Sequence, residues 1–371
     1  MIIGLVIVIV YAVLILYFTT GFKATQLSGK SASQFSFSII IPFRNEEKHL
    51  PNLLRSLNEL QYPESLFEII LVDDHSEDKS QAICRNWKAE NPTMQIKLLD
   101  NQNLVKSPKK SAVLTALQYV ENEYILTTDA DCLLPEEWLS TFNQFLQQKP
   151  SDLVAGPVKL IENSGFWTKF QVLDMMSLQV VGLGSFNAPP ALFCNAANLC
   201  YKTDTLKAIN PFERHQDIAS GDDVFNLEAF QRHKKHVTTL LHPKATVWTK
   251  GEKDFAALTQ QRIRWASKAK FYSNGLLKFL GLLVLLTNLL LVLSLAFIFI
   301  FEDLVQFWWL FWVLKLSIDF YVLYVGNRFF RINLCFRDYL MMLVVYPFIS
   351  SYFALLALKG KFSWKGRVYE V

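Results

Sequence analysis

Phe279 to Phe301 is a run of twenty-three residues without a charge. Inside a hydrocarbon core its amides have only one another to bond, so the run must be a helix, and its length matches a bilayer crossing. Leu304 to Val325 and Tyr339 to Leu358 follow with the same character, and Ile2 to Phe18 is an uncharged run at the other end. Those runs concentrate the 51% apolar content of the 371 residues at the two ends, leaving room for a globular middle. Ile2–Phe18 has no basic segment before it and no small-residue cleavage site, so it reads as an anchor rather than a removable signal. Lys23 and Lys30 come next and place the following segment in the cytoplasm by the positive-inside rule. The expected layout is an anchor over 1–20, a Ser/Thr/Gly-rich linker over 21–36, a cytoplasmic domain over 37–265 and a membrane block over 266–371.

Within that block the expected spans lie near 279–301, 304–325 and 339–358, with Glu302-Asp303 ending the first. Lys315 and Asp319 stand four apart on one helical face of the second, where they can pair. An ionisable pair inside a membrane is also a functional candidate. Three crossings would put the basic tail (Lys359, Lys361, Lys365, Arg367) outside, against the charge rule. A re-entrant hairpin bent at Pro347 would return it to the cytoplasm, and both arrangements stay open.

The middle alternates strands with helices. Phe37 to Phe43, Phe67 to Val72, Gln95 to Leu99, Tyr124 to Leu126 and Asp152 to Val158 read as strands. Between them, Leu50, Leu53, Leu54 and Leu57 recur at helical spacing behind Asn45, a candidate N-cap. Ser76 can cap a helix carrying Ile83 and Trp87, and Lys109–Val120 and Glu136–Gln147 complete the alternation. This pattern predicts an α/β fold with a doubly wound parallel sheet, in which ligands bind beyond the carboxyl ends of the strands. Arg44, Glu46, Asp74, Asp129 and Asp131 all fall at such ends.

Asp129-Ala130-Asp131 ends an apolar strand with two acids on the same side of an extended backbone. Paired oxygen ligands of this kind suit Mg²⁺ or Mn²⁺, with substrate phosphates completing the shell. The alternative is a polar turn capping the helix that begins near Pro135. The net charge of +4 and the lack of a long basic run give no footprint for nucleic acid. Five scattered cysteines, without metal-site spacing, read as ordinary thiols of a reducing compartment. Phe166 to Phe186 is a long apolar stretch that could pack on a bilayer, line an acceptor groove or form plain core.

Six segments now stand in order between residues 41 and 265: Ile41-Pro42-Phe43-Arg44-Asn45-Glu46, Val72 to Asp78, Lys110-Ser111-Ala112-Val113-Leu114, Asp129-Ala130-Asp131, Gly221-Asp222-Asp223 and Gln261-Arg262-Ile263-Arg264-Trp265. In these segments the chain resembles the membrane-bound members of glycosyltransferase family 2, enzymes with a GT-A nucleotide-sugar-binding fold. No complete Walker-type Gly-x-x-x-x-Gly-Lys-Ser/Thr loop or Gly-x-Gly-x-x-Gly turn competes with that resemblance.

The resemblance implies that Pro42, Arg44 and Glu46 border the nucleotide, and that Asp74 accepts a hydrogen bond from a uracil N–H. It puts Lys110 near the diphosphate and a divalent Mg or Mn ion on Asp131, with Asp129 assisting. Asp223 becomes the general base on the acceptor hydroxyl. Gln261, Arg264 and Trp265 line the acceptor channel, with Arg264 facing the pyrophosphate, and Asn198 is a candidate sugar contact. The family commonly has Glu-Asp where this chain has Asp222-Asp223, which leaves the role of Asp222 less defined. Two other readings exist: Trp265 as a membrane-interface anchor, and Asp222/Asp223 as first-turn acids of a helix over Val224–Gln231.

The implied activity is inverting transfer of a sugar from a nucleotide sugar, UDP-linked, to a glycolipid or polysaccharide acceptor. The expected protein is multi-pass, with its catalytic domain on the cytoplasmic side of a bacterial plasma membrane. Transfer to a polyprenyl phosphate is the alternative within enzymes. Outside them, a non-catalytic membrane scaffold could retain the same fold, and metal-dependent nucleotide turnover would tell the two apart.

Overall fold

The computed structural model describes residues 2–29, 34–162, 165–212, 216, 218, 221–300, 305–357, 361–364 and 367–370. Lys30, Glu302-Asp303, Lys359 and Lys365, which the sequence reading used, lie outside the described residues. In chain order, α1 is Ile2–Thr20, β1 Phe37–Phe43, α2 Leu50–Asn58, β2 Phe67–Asp73, α3 Ser80–Glu90 and β3 Gln95–Asp100. Next come α4 Pro108–Leu117, β4 Tyr124–Thr127, α5 Trp138–Gln148, β5 Leu153–Ala155, β6 Val158–Leu160 and α6 Phe166–Asn187. Then β7 is Leu199–Lys202, α7 Thr203–Ile209, α8 Asp222–Arg232, β8 Val237–Thr239, β9 Val247–Thr249 and α9 Phe255–Ser267. Last are α10 Gly275–Ile300, α11 Val305–Phe330, α12 Phe336–Ala357, β10 Lys361–Trp364 and β11 Arg367–Glu370. Two compact units result, a sheet unit (Lys23–Leu160 with Phe193–Lys250) and a helical unit (Met1–Phe22, Ile161–Leu192 and Gly251–Val371).

The sheet unit is built on seven strands in the order β3-β2-β1-β4-β7-β5-β8. The β3-β2-β1-β4 part and the β5–β8 pair are parallel, as an α/β fold requires. β7 runs antiparallel to β4 and β5, so the expected doubly wound parallel sheet carries one antiparallel strand. β1 is covered on both sides, which is why it reads as a continuous apolar run. Phe37, Ile39, Ile41 and Phe43 share one core with the four leucines of α2, Trp87 of α3 and Trp138 and Phe142 of α5. Each such side chain taken out of water contributes about 1.5–3 kcal/mol. α4 packs against β1, β2 and β3.

Three local expectations are corrected. Asn45 is not an N-cap: α2 starts at Leu50 after His49, with Pro51 in its first turn and no side-chain cap. Ser76 does not cap α3, which starts at Ser80 after Lys79. Both residues are recruited to zip the β1–α2 loop to the β2–α3 loop. The Asn45 amide donates to Ser76 Oγ, Asn45 Oδ1 accepts from the Glu77 amide, and the Glu46 amide donates to Ser80 Oγ. The third concerns the strand predicted over Asp152–Val158, which breaks at Gly156-Pro157 into β5, in the main sheet, and β6, paired with β9. Pro157 offers no amide to a ladder. A side chain on Gly156 would meet the Asn198 carboxamide at 2.4 Å, so the chain bends around that amide.

In the helical unit, α1, α10, α11 and α12 each contain a stretch long and apolar enough to cross a membrane; among the described residues there are four such helices. α12 runs through Pro347 as one helix, so the chain makes no hairpin there. α6 is the long helix expected over Phe166–Phe186, and it packs against α1 and α11. Glycine permits the first of these approaches: a Cβ on Gly184 would lie 2.2 Å from the Phe18 carbonyl oxygen. Small residues let helix backbones come this close. Lys315 and Asp319 do pair, and the Tyr11 hydroxyl donates to Asp319 at 2.6 Å.

Candidate active site

The carboxyl ends of β1, β2, β3 and β4 converge on one rim of the sheet unit. Following β1, β2 and β3 come Asn45 (φ 52°), His75 (φ 55°) and Asn103 (φ 53°), all left-handed without being glycine. That conformation is disfavoured for side-chain-bearing residues and clusters where surrounding structure imposes it for function. Here the imposing contacts are visible, with His75 Nε2 lying 2.9 Å from Asn103 Nδ2.

Pro42 sits inside β1, and Arg44 just beyond it is spent on the neighbouring loop. Its guanidinium donates to the carbonyls of Asp74 and His75 and, at 3.0 Å, to Glu77. Glu46 accepts from His49 Nδ1 at 2.7 Å. Asp74 is buried and accepts from Asn101 Nδ2 at 2.7 Å, while Asn101 Oδ1 accepts from Ser111 Oγ of α4. The predicted nucleotide border is thus a pre-formed, cross-linked rim.

Beyond β4, the Cys132 amide donates to the Asp129 carbonyl and closes a turn, and the amide and carbonyl of Leu133 exchange bonds with Trp248. This turn carries Asp129 and Asp131. It does not cap α5, whose N-cap is Glu137, so the capping alternative is set aside. From elsewhere in the chain, α8 brings Asp222 and Asp223 in its first turn, where the helix dipole favours acids. Asp223 Oδ1 accepts from the amide of Val224 at 2.8 Å. Burial, together with Asp223 and Asp222, pushes the Cys194 thiol far up; burial, Asp131 and Asp129 do the same to Cys132.

One residue that sequence reasoning missed joins the two acidic segments. Lys109 Nζ lies 2.5 Å from Asp129 Oδ1 and 3.8 Å from Asp222 Oδ2. Burial opposes its charge, yet Asp129, Asp222 and Asp223 outweigh burial and hold its ammonium above the usual lysine range. A signal was present: Lys109-Lys110 directly follows Pro108, in the first turn of a helix, where the dipole disfavours cations. Lysines placed there need acidic or carbonyl partners. Lys110, expected near a diphosphate, is buried, donates to the Ile218 carbonyl at 3.0 Å and lies over the Phe225 ring.

Asn198 is a correction. It is fully buried, its amide donates to the Pro157 and Ala245 carbonyls, and its oxygen accepts from Trp138 Nε1. Those bonds make it a structural staple, not a sugar contact.

Gln261, Arg264 and Trp265 lie on α9, in the helical unit. Gln261 donates to Glu252 at 2.9 Å, and Arg262 stacks 4.2 Å over the Trp265 ring. Burial raises the Glu252 carboxyl, with Arg264 and Arg262 pulling it back. Arg262 also reaches Asp174 of α6 at 2.5 Å, both side chains being about nine-tenths buried.

Among the described residues no three metal-ligating side chains converge. Two carboxylates, Asp129 and Asp131, would fit as the protein's part of a Mg²⁺ or Mn²⁺ shell if phosphate oxygens supplied the rest. That the cluster already attracts an ammonium at 2.5 Å shows its field is suited to a cation.

Residues 124–358 match the family described as Glycosyl transferase family group 2, and residues 38–190 match Glycosyl transferase family 2. Glycosyltransferase AglE of Haloferax volcanii is 24% identical over 195 residues, which is 50% of this chain and 58% of that protein. The poly(ribitol-phosphate) beta-N-acetylglucosaminyltransferase TarS of Staphylococcus aureus is 29% identical over 194 residues, 52% of this chain and 32% of that one. The aligned stretch thus spans under two thirds of either relative. In fold the chain is like mannosyltransferase PcManGT of Pyrobaculum calidifontis, solved in complex with GDP-Man and Mn²⁺, at a TM-score of 0.57 and 15% identity over 96% of this chain and 97% of that one. Since the family match runs unbroken from the strand before Asp129 to the last apolar helix, well over half of the residues, the chain belongs to glycosyl transferase family group 2.

Proposed function

We propose that the protein is a membrane-embedded, inverting glycosyltransferase that uses a divalent cation and a nucleotide sugar. The observation that carries this reading is the convergence, on one sheet rim, of acids from separate segments: Asp74, Asp129 with Asp131, and Asp222 with Asp223. Displacing a nucleoside diphosphate from a sugar needs a base at one end and charge neutralisation at the other, and no single side chain serves both. Asp223 takes the proton from the acceptor hydroxyl. Its Oδ1 is held by the Val224 amide at 2.8 Å in the first turn of α8, which fixes the carboxylate in place. Asp131, with Asp129, would hold Mg²⁺ or Mn²⁺, which neutralises charge on the departing diphosphate. Direct displacement by one base, without an enzyme nucleophile, inverts the sugar carbon.

On the donor side, Asp74 accepts from a base N–H while Pro42, Arg44 and Glu46 border the nucleotide and Lys110 supports the diphosphate. A uracil base is the first expectation, and the GDP-Man in the PcManGT complex makes guanine the competitor to test. Gln261, Arg264 and Trp265 keep the acceptor-side roles. The acceptor is a lipid or glycan, a choice supported by the apolar helices and by relatives named for poly(ribitol-phosphate) and for glucosyldiacylglycerol. The lysines after α1 favour a cytoplasmic catalytic unit.

The test is a panel of nucleotide sugars offered to the full chain in detergent, with and without a chelator, and products identified by mass. The reading predicts release of nucleoside diphosphate that stops on chelation and resumes with Mn²⁺. A chain that binds nucleotide sugars yet never releases the diphosphate, with any lipid or glycan extract, would be a scaffold.

A further inference from the structure

The pair formed by Lys109 and Asp129 occupies an unusual position. It joins the helix turn that should repel a lysine to Asp129, the acid expected to assist Asp131 in holding a metal. Lys109 Nζ contacts Asp129 Oδ1 at 2.5 Å and stands 3.8 Å from Asp222 Oδ2, with Asp223 adding to the field. An ammonium and a divalent ion cannot share one carboxylate oxygen, because they collide and repel at such distances. The pair is not sealed in: the side chains of Lys109, Asp129 and Asp222 are 23%, 36% and 15% exposed. A lysine ammonium is a point charge on a flexible four-carbon stem, able to move without unfolding its helix.

We propose that Lys109 is an internal counter-ion of the acid cluster, exchanged for the divalent cation when the donor binds and then turned to the diphosphate oxygens. The proposal rests on the metal reading of Asp129 and Asp131. In the donor-free protein the lysine neutralises acids that would otherwise repel one another across the β4 and α8 segments. It thereby suppresses metal binding until a diphosphate arrives to supply both the remaining metal ligands and a new partner for the ammonium. In this view Lys109 governs when the cation binds and, once displaced, contacts the donor's diphosphate.

The exchange predicts two effects of opposite sign, which a merely structural lysine would not produce. Mn²⁺ binding to the full chain in detergent, without nucleotide, is read by the electron paramagnetic resonance of the free ion. Lys109→Met should tighten it about tenfold or more, since a competing charge is gone. Binding of UDP and GDP is then read by calorimetry at saturating Mn²⁺. There Lys109→Met should weaken the preferred nucleotide by about tenfold, the scale of one lost charged hydrogen bond. Lys109→Arg should stay near wild type in both. A misfolded variant would weaken both, and that result, like an unchanged Mn²⁺ affinity, overturns the exchange. A wild type that binds Mn²⁺ only with nucleotide, beside a Lys109→Met that binds it alone, would support the exchange in its strongest form. If wild type binds Mn²⁺ through Asp131 and Lys109→Met does not differ, only this proposal falls. If no variant binds Mn²⁺ even with nucleotide, the metal reading falls with it.

Discussion

The molecule contains similar cation–carboxylate pairs in two settings. On the sheet rim, Lys109 and Asp129 are partly open to solvent and share their field with Asp222 and Asp223. In the helical unit, Arg262–Asp174 and Lys315–Asp319 are nearly closed off, and each is supported by further groups, Trp265 over the guanidinium and Tyr11 on Asp319. The Arg262–Asp174 pair holds α9 and α6 in register, because separating it strands a charge in an apolar setting. An open pair has little to lose when it is exchanged for another partner. The same chemistry thus serves structure in one unit and, by our reading, turnover in the other.

That contrast can be broken by mutation. The largest effect should come from Asp131→Ala, which removes an acid the sheet fold does not use as a cap. Transfer should become undetectable while circular dichroism and thermal unfolding stay as in wild type, and ordinary turnover with metal present would refute the assignment. Next in size, Arg262→Met should cost the helical unit about 3–5 kcal/mol, the scale of a broken buried pair. Hydrogen exchange along α6 and α9 would report it, and a paired Arg262→Met, Asp174→Met change should recover much of the loss. Asp223→Asn should leave nucleotide and metal binding in place and lower kcat by roughly 10²-fold, the usual scale for a general base. Should it instead lose metal-dependent donor binding as Asp131→Ala does, Asp223 belongs to the metal site and Asp222 becomes the next candidate for the base.

The smallest expected effect is a difference in pH response. At Asp152 burial pushes the carboxyl up, but the Thr205 hydroxyl and the His236 amide outweigh it and leave it below its ordinary value. The unfolded chain therefore takes up that proton first on acidification, and the contribution is present above about pH 4 and lost as pH falls through the lowered value. At Asp174 burial dominates over Arg262 and Tyr346 and raises the carboxyl. There the unfolded chain releases its proton first, so the contribution declines as pH rises from the ordinary carboxylate range through the raised value. Local exchange protection should thus weaken in acid around β7 and α7 and strengthen in acid around α6. Asp174→Asn should remove only the second trend.

Loops of the rim were the least legible part of the chain. Asn45 and Ser76 satisfy local rules for helix capping, and a cap is the right expectation when only neighbours in sequence can be consulted. The structure uses them thirty-one residues apart instead, across two loops that parallel pairing of β1 and β2 brings side by side. Lys109 escaped notice for a similar reason, since its partners come from β4 and from the start of α8. Asn198 was misread because a polar residue beside a candidate base looks functional until the carbonyls of Pro157 and Ala245 are seen around it.

What the sequence determined by itself is what short-range physics dictates. The apolar runs are helices because a long run without polar side chains satisfies its amides and carbonyls within itself, and the strand–helix alternation is a sheet covered by helices because the central strands β1 and β2 are buried on both faces. The acids at strand ends follow from the same alternation, since they stand where each apolar run stops. Only the tertiary structure decided the antiparallel insertion of β7, the break at Gly156-Pro157, the cross-loop zipper and the meeting of Lys109 with two acidic segments. Each of these depends on which distant backbone lies alongside, and side-chain periodicity carries the face a residue belongs to but not the partner it will find there.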